Sequence, residues 1–124
     1  MKTLIYKEEA YEIIGLCMEV HKELGPGFSE IVYKDALEHE LKLRGINFER
    51  EREFQVYYKG IILPHKFYAD FLVDETIILE VKTVSSLQKE HLEQTINYLC
   101  VSGLNLGLLV NFRSNSLEYK RLVR

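Results

Sequence analysis

Apolar residues at Ala10, Ile13, Ile14, Cys17, Val20 and Leu24 recur at the spacing of one helix face, and Gly25-Pro26 follows as a stop, so the pattern predicts a first helix from about Lys7 to Leu24. Ser29 is placed to cap a second helix running to Arg44, with Tyr33, Leu37 and Leu41 on one side and Gly45 as its stop. The period then changes. Between Asn47 and Tyr58, Phe48, Phe54, Val56 and Tyr58 share one parity while Glu49, Glu51, Glu53 and Gln55 share the other, which is strand alternation. Lys59-Gly60 reads as a turn, and IILPHKFYADFLV continues extended, with Pro64 expected at a bulge or edge. TIILEVKTV is apolar at nearly every position and is expected in the middle of the sheet. Ser85 with Gln88 has capping-box spacing before a third helix marked by Leu87, Leu92, Ile96, Leu99 and Cys100 and ended by Gly103. LGLLVNF and SLEYKRLV, divided by Arg113-Ser114-Asn115, close the chain as two strands.

The order helix, helix, three strands, helix, two strands predicts an α/β fold: a mixed central sheet flanked by helices, with an antiparallel meander first and a helical crossover after it. At 124 residues, 47% hydrophobic and 28% charged, the composition is that of an ordinary globular chain, and a single domain over residues 1–124 is expected. The net charge of −3 supplies no overall positive field, so a polyanionic partner requires a local basic patch or bound metal ions. Cys17 and Cys100 both fall in helical apolar patterns and read as buried thiols rather than a disulfide. No segment approaches the ~18 apolar residues of a membrane span, so no membrane association and a cytoplasmic location are expected.

Within this frame the third strand is chemically odd. Glu80 and Lys82 project from the same face, with Val81 pointing the other way, in a strand otherwise too apolar to hold charge. Burying either charge alone costs several kcal/mol, so each needs a partner, a metal or water. A structural ion pair between them is the simplest account. Asp70 on the adjoining strand opens another. Two carboxylates in reach of each other suit a hard divalent cation such as Mg²⁺. Such an ion neutralises phosphate charge and acidifies a water, while a nearby lysine orients that water or stabilises the developing charge. The set then reads as phosphodiester hydrolysis.

The hairpin between those strands decides whether such a site exists. A two-residue loop of Asp74 and Glu75 would set Asp70 opposite Leu79, on the other face from Glu80. A shared face requires a loop with an odd number of residues, such as Val73 to Glu75, or a bulge.

Asp70, a gap, then Glu80-x-Lys82 resembles the PD-(D/E)xK nuclease superfamily, and Gly27-x-x-Glu30-x-x-Tyr33 resembles the signature of its GxxExxY branch, a group of small bacterial and archaeal proteins. The resemblance spans nearly the whole chain, with Ala69 where the superfamily name has proline. It implies a restriction-endonuclease-like αβββαβ core and Mg²⁺ as cofactor, with Mn²⁺ as an alternative ion. Asp70, Glu80 and the Val81 carbonyl would be the metal ligands, Lys82 the catalytic lysine and Glu30 a helix-borne acid. Gln94-x-x-x-Tyr98 resembles the glutamine and tyrosine pair of the superfamily's helicase-associated nucleases, and at i and i+4 the two share a helix face. With Tyr33, they are candidates for positioning substrate.

Each candidate has a plainer reading. Glu30 also gains from the helix dipole, Tyr33 and Tyr98 suit core-edge aromatics, and His21 is by default a satisfied histidine at the core edge, with a place beside the metal as the alternative. The run Glu49 to Glu53 reads as a solvated strand edge, and Lys34, Lys42, Arg44, Lys89, Arg113, Lys120, Arg121 and Arg124 are the cations available to a nucleic-acid groove. The expected function is a Mg²⁺-dependent endo- or exonuclease acting on DNA or RNA, gaining substrate grip from a homodimer or an accessory protein. The alternatives are a non-catalytic nucleic-acid- or protein-binding module and a structural interaction protein.

Overall fold

A computed structural model describes residues 5–124. Its elements are α1 (Lys7–Leu24), α2 (Glu30–Leu43), β1 (Phe48–Tyr58), β2 (Ile61–Val73), β3 (Ile77–Lys82), α3 (Lys89–Ser102), β4 (Leu106–Asn111) and β5 (Glu118–Val123). The strands form one mixed sheet in the order β1-β2-β3-β4-β5, parallel only between β3 and β4, which α3 connects as a crossover. This is the mixed α/β sheet that the element order predicts and the restriction-endonuclease-like arrangement that the resemblance implies. No described helix is long and apolar enough to cross a membrane.

Strand alternation divides the core into two layers. Phe71, Val73, Ile77, Leu79 and Val81 pack beneath α1 and α2, which supply Ile13, Cys17, Tyr33 and Leu37. Ala69, Leu72 and Ile78 face α3 at Leu99. Contact between α3 and β4 is close because position 107 is glycine: a Cβ there would lie 2.8 Å from Thr95 Cγ2. Ala69 and Phe71 are two residues apart yet belong to opposite layers, so β2 turns at the intervening Asp70.

The β2–β3 hairpin has the odd loop that a shared face requires. Val73 pairs with Ile77, leaving Asp74, Glu75 and Thr76 as the loop, with Asp74 and Glu75 both at positive φ. Continuing that register sets Asp70 across from Glu80. Lys59 and Gly60 form the two-residue turn of the β1–β2 hairpin, and the register slips between Gln55 and Tyr57, opposite the segment that contains Pro64.

Three local expectations are corrected. Ser29 stands at the start of α2 in extended backbone but makes no side-chain cap bond. The capping box of α3 is Gln88 with His91, not Ser85 with Gln88, because residues 83–87 are drawn away as a loop. That loop is pinned from β4 and β5: Val84 N–H donates to Asn111 Oδ1 at 2.9 Å, and Leu87 N–H donates to Glu118 Oε1 at 3.0 Å. Finally, Cys17 is buried but Cys100 is exposed, so the two thiols share a pattern and not an environment.

Candidate active site

At Asp70 and Glu80 the two carboxylates take over from the backbone ladder. The β2–β3 backbone pairs stop at Phe71 and Leu79; beyond them Asp70 N–H donates to Glu80 Oε2 at 2.7 Å, and Val81 N–H donates to Asp70 Oδ2 at 2.8 Å. Each side chain thus stands where a strand carbonyl would accept. Glu80 is 3% exposed and Asp70 9%. Burial, and then the neighbouring Asp70 charge, push the Glu80 carboxyl up to about 8.

Lys34 is the cation inside this cluster. Its Nζ donates to Asp70 Oδ1 at 2.9 Å and lies 2.5 Å from Glu51 Oε1. Burial acts to lower the Lys34 pKa, but the hydrogen bonds to Glu51 and Asp70 outweigh it and hold the ammonium above its ordinary range. Glu51 reaches this position from β1 with its backbone at φ 53, a left-handed conformation that costs of order 1–3 kcal/mol for a residue with a side chain.

Glu30 begins α2 and is half-buried. Burial and then the Asp70 charge raise its carboxyl above the usual range, against the pull of Lys82 and Lys34. Lys82 does not pair with Glu80 among the described ion pairs; its Nζ donates to Gln94 Oε1 at 2.7 Å on α3. Tyr98, one turn further along α3, is half-buried, and burial followed by the Glu80 and Asp70 charges pushes its hydroxyl up to about 12. Glu30, Asp70, Glu80, Lys82, Gln94 and Tyr98 therefore come together.

Tyr33 and His21 do something else. Tyr33 is 0% exposed and cannot touch a substrate from there. Its hydroxyl donates to the Gly25 carbonyl at 2.6 Å and accepts from Phe28 N–H at 3.2 Å, while its ring stacks on Phe112 at 4.5 Å. It clamps the loop that leads into Glu30, where Gly27 takes φ 113, a value that strains any side chain. His21 Nε2 lies 2.8 Å from the Ser114 carbonyl oxygen and its ring packs against Phe112, so it fixes the β4–β5 loop, as the core-edge reading has it.

Sequence reasoning missed Lys34 and Glu51. Lys34 carried a signal: it lies four residues after Glu30, on the same helix face. Glu51 carried none, because its place opposite Asp70 depends on the β1–β2 register, in which Arg50 pairs with Phe71 and Arg52 with Ala69.

The donor chemistry suits a hard cation. Asp70 and Glu80 present buried carboxylate oxygens bridged by a single backbone unit on each strand, and Val81 lies between them and Lys82. No group of three or more His, Cys, Asp or Glu forms a ready-made metal cage among the described residues, so any ion here keeps water among its ligands.

No curated protein matches the chain. The crystal structure of SSO0001 superposes with a TM-score of 0.61 at 24% identity, over 96% of this chain and 59% of that one. An alkaline exonuclease, LHK-Exo from Laribacter hongkongensis, superposes with a TM-score of 0.50 at 13% identity, over 98% of this chain and 72% of that one. Both likenesses are of fold, and this chain spans only 59% of the length of SSO0001. A family model described as the PD-(D/E)XK nuclease superfamily matches residues 7–122. With the acid on β2, the Glu-x-Lys on β3 and the core order in place, the chain belongs to the PD-(D/E)XK nuclease superfamily.

Proposed function

We infer that the protein is a Mg²⁺-dependent nuclease hydrolysing DNA or RNA phosphodiesters, of the GxxExxY kind, with Mn²⁺ as an alternative ion. The observation that carries this is the reciprocal placement of Asp70 and Glu80, two buried carboxylates held within one amide of each other beside Lys82. Asp70 and Glu80, with the Val81 carbonyl, would hold the cation, which supplies neutralisation of the phosphate and a more acidic water. Lys82, steadied by Gln94, would orient that water and offset the charge developing on the phosphoryl oxygens. Glu30, whose carboxyl burial and then the Asp70 charge hold above the usual range, would serve as the helix-borne acid of the same site. Tyr98, half-buried one turn along α3 from Gln94, would offer its hydroxyl and ring for positioning substrate.

One observation favours a second reading. Lys34 Nζ lies 2.9 Å from Asp70 Oδ1 and offsets its charge, an ion pair that a non-catalytic nucleic-acid- or protein-binding module on this fold would keep. A single assay separates the two. Single- and double-stranded DNA and RNA are incubated with Mg²⁺ or Mn²⁺ beside Lys82→Ala. Cleavage by the native chain that the variant loses supports the nuclease; metal-dependent binding with no cleavage supports the module.

A further inference from the structure

Strand β2 outruns the sheet. Its ladder with β3 covers only Phe71 to Val73, whereas its ladder with β1 continues to Ile61. Residues 61–68 and their β1 partners therefore run on past β3 as a two-stranded arm, roughly 26 Å long at ~3.3 Å per residue, rooted at the buried Ala69 next to Asp70. Two-stranded ribbons that expose apolar surface gain little stability of their own. This one nevertheless exposes Tyr57, Tyr58, Ile61, Ile62 and Tyr68.

The arm is chemically unlike the rest of the chain. Glu53 at its root, which accepts from the Tyr68 hydroxyl at 3.0 Å and lies 3.6 Å from Lys66 Nζ, is followed by no aspartate or glutamate from Phe54 to Tyr68, in a protein of net charge −3, while Lys59, His65 and Lys66 are all present. Phe54 and Phe67 pair across the ladder and belong to the α3 side of the sheet. On that face the aromatic rings form a path. His65 lies against Phe67 with centroids 4.8 Å apart, and Phe67 meets Tyr98 edge-on at 6.2 Å. The Arg52 guanidinium sits 4.8 Å over the Phe54 ring, and Lys59 Nζ lies 5.5 Å from the Tyr58 ring. Tyr98 carries the path to the site, one turn along α3 from Gln94, whose Oε1 accepts from Lys82 Nζ.

We propose that the β1–β2 arm is a stacking platform for single-stranded nucleic acid, leading an unpaired strand along Tyr58, His65 and Phe67 to Asp70 and Glu80. Unpaired bases expose π-faces that aromatic side chains can cover, and cations beside those rings meet the phosphates; a duplex keeps the same faces stacked inside. Continuity of the path with the carboxylates is what favours nucleic acid over a protein as the occupant. This inference rests on the phosphodiester reading of the site and names the form of substrate that it takes.

The test reads binding, not cleavage. Fluorescence anisotropy of labelled oligothymidylate is followed in EDTA at low salt for the native chain, for Tyr58→Ala/His65→Ala, and for Tyr11→Ala as an exposed control on α1. All three substituted residues are exposed, and circular dichroism verifies the fold. The arm variant should bind the single strand about tenfold more weakly, with Tyr11→Ala at native affinity and duplex binding little changed. Equal affinity of the arm variant and the native chain, an equal loss in Tyr11→Ala, or no binding by the native chain overturns the proposal. A native dimer that the arm variant dissociates in sedimentation, with oligonucleotide affinity unaltered, also overturns it and assigns the arm to a second copy. Intact arm-dependent binding beside a native chain that cleaves nothing instead defeats the nuclease reading alone.

Discussion

Lys34 Nζ stands 2.9 Å from Asp70 Oδ1, so a lysine on α2 shares the carboxylate at the centre of the proposed metal site. Replacing one partner of a buried ion pair costs ~3–5 kcal/mol, because the other charge is left uncompensated. Lys34→Met should therefore lower stability by an amount of that order in EDTA. A divalent ion between Asp70 and Glu80 would restore part of it, so Mg²⁺ should raise the melting temperature of the variant more than that of the native chain. Equal shifts would show that ion and lysine do not share the carboxylate.

Glu80 should be a residue whose removal stabilises the protein while ending its activity. Its folded pKa of about 8 lies above the ordinary 4.5. A group raised in this way contributes stability fully below the unfolded value and loses it as pH climbs toward the folded one. In metal-free protein, Glu80→Gln keeps an acceptor for the Asp70 amide and sheds that penalty. Urea denaturation in EDTA should show the variant gaining on the native chain from pH 5 to pH 8, by a few kcal/mol at most, while cleavage with Mg²⁺ is lost.

The glycine under α3 offers a packing test. Gly107→Ala places a methyl 2.8 Å from Thr95 Cγ2, and overpacking of this kind costs ~1–3 kcal/mol. Thr95→Ser removes the opposing methyl. The double variant should be more stable than the sum of the single effects, which a double-mutant cycle by thermal denaturation measures.

Tyr33→Phe keeps the stack on Phe112 and removes the hydroxyl that holds Gly25 and Phe28. The expected cost is ~1–3 kcal/mol, since a buried carbonyl and an amide lose their partner together. Loss of activity in this variant should exceed what the unfolded fraction explains, because the loop that delivers Glu30 is loosened.

The two thiols should react at very different rates. Burial pushes the Cys17 thiol up to about 12, whereas Cys100 is exposed. A colourimetric thiol reagent at pH 8 should titrate one thiol in the native protein and both in urea, and Cys100→Ser should abolish the native reaction.

Much of this architecture is written in local periodicities. The 3.6-residue pattern of α1 and α2, the alternation of β1 and the apolar run of β3 each reflect which face must leave water, so the element order is legible without coordinates. The convergence of Asp70 with Glu80 and Lys82 is legible for a similar reason, because strand parity converts loop length into side-chain direction. The place of Glu51 and the partners of Tyr33 are not legible. The first depends on pairing between strands and on a left-handed backbone at φ 53, and the second on a stack with Phe112, 79 residues away in sequence. Cys100 misled for the opposite reason, since a helix in a crossover shows only part of its surface to the sheet and a helical pattern does not say where the stripe ends.

The ladder that runs through the carboxylates has a consequence for how the site is loaded. Asp70 Oδ2 and Glu80 Oε2 each hold a backbone amide of the opposite strand, and Asp70 Oδ1 holds Lys34. Any ligand that recruits more than the remaining carboxylate oxygen shares its oxygens with Val81 N–H, Asp70 N–H or the lysine, because each oxygen that accepts one hydrogen bond keeps a second lone pair. Occupancy and strand closure thus draw on the same oxygens, and the amide resonances of Asp70 and Val81 become a direct gauge of whether the centre is filled.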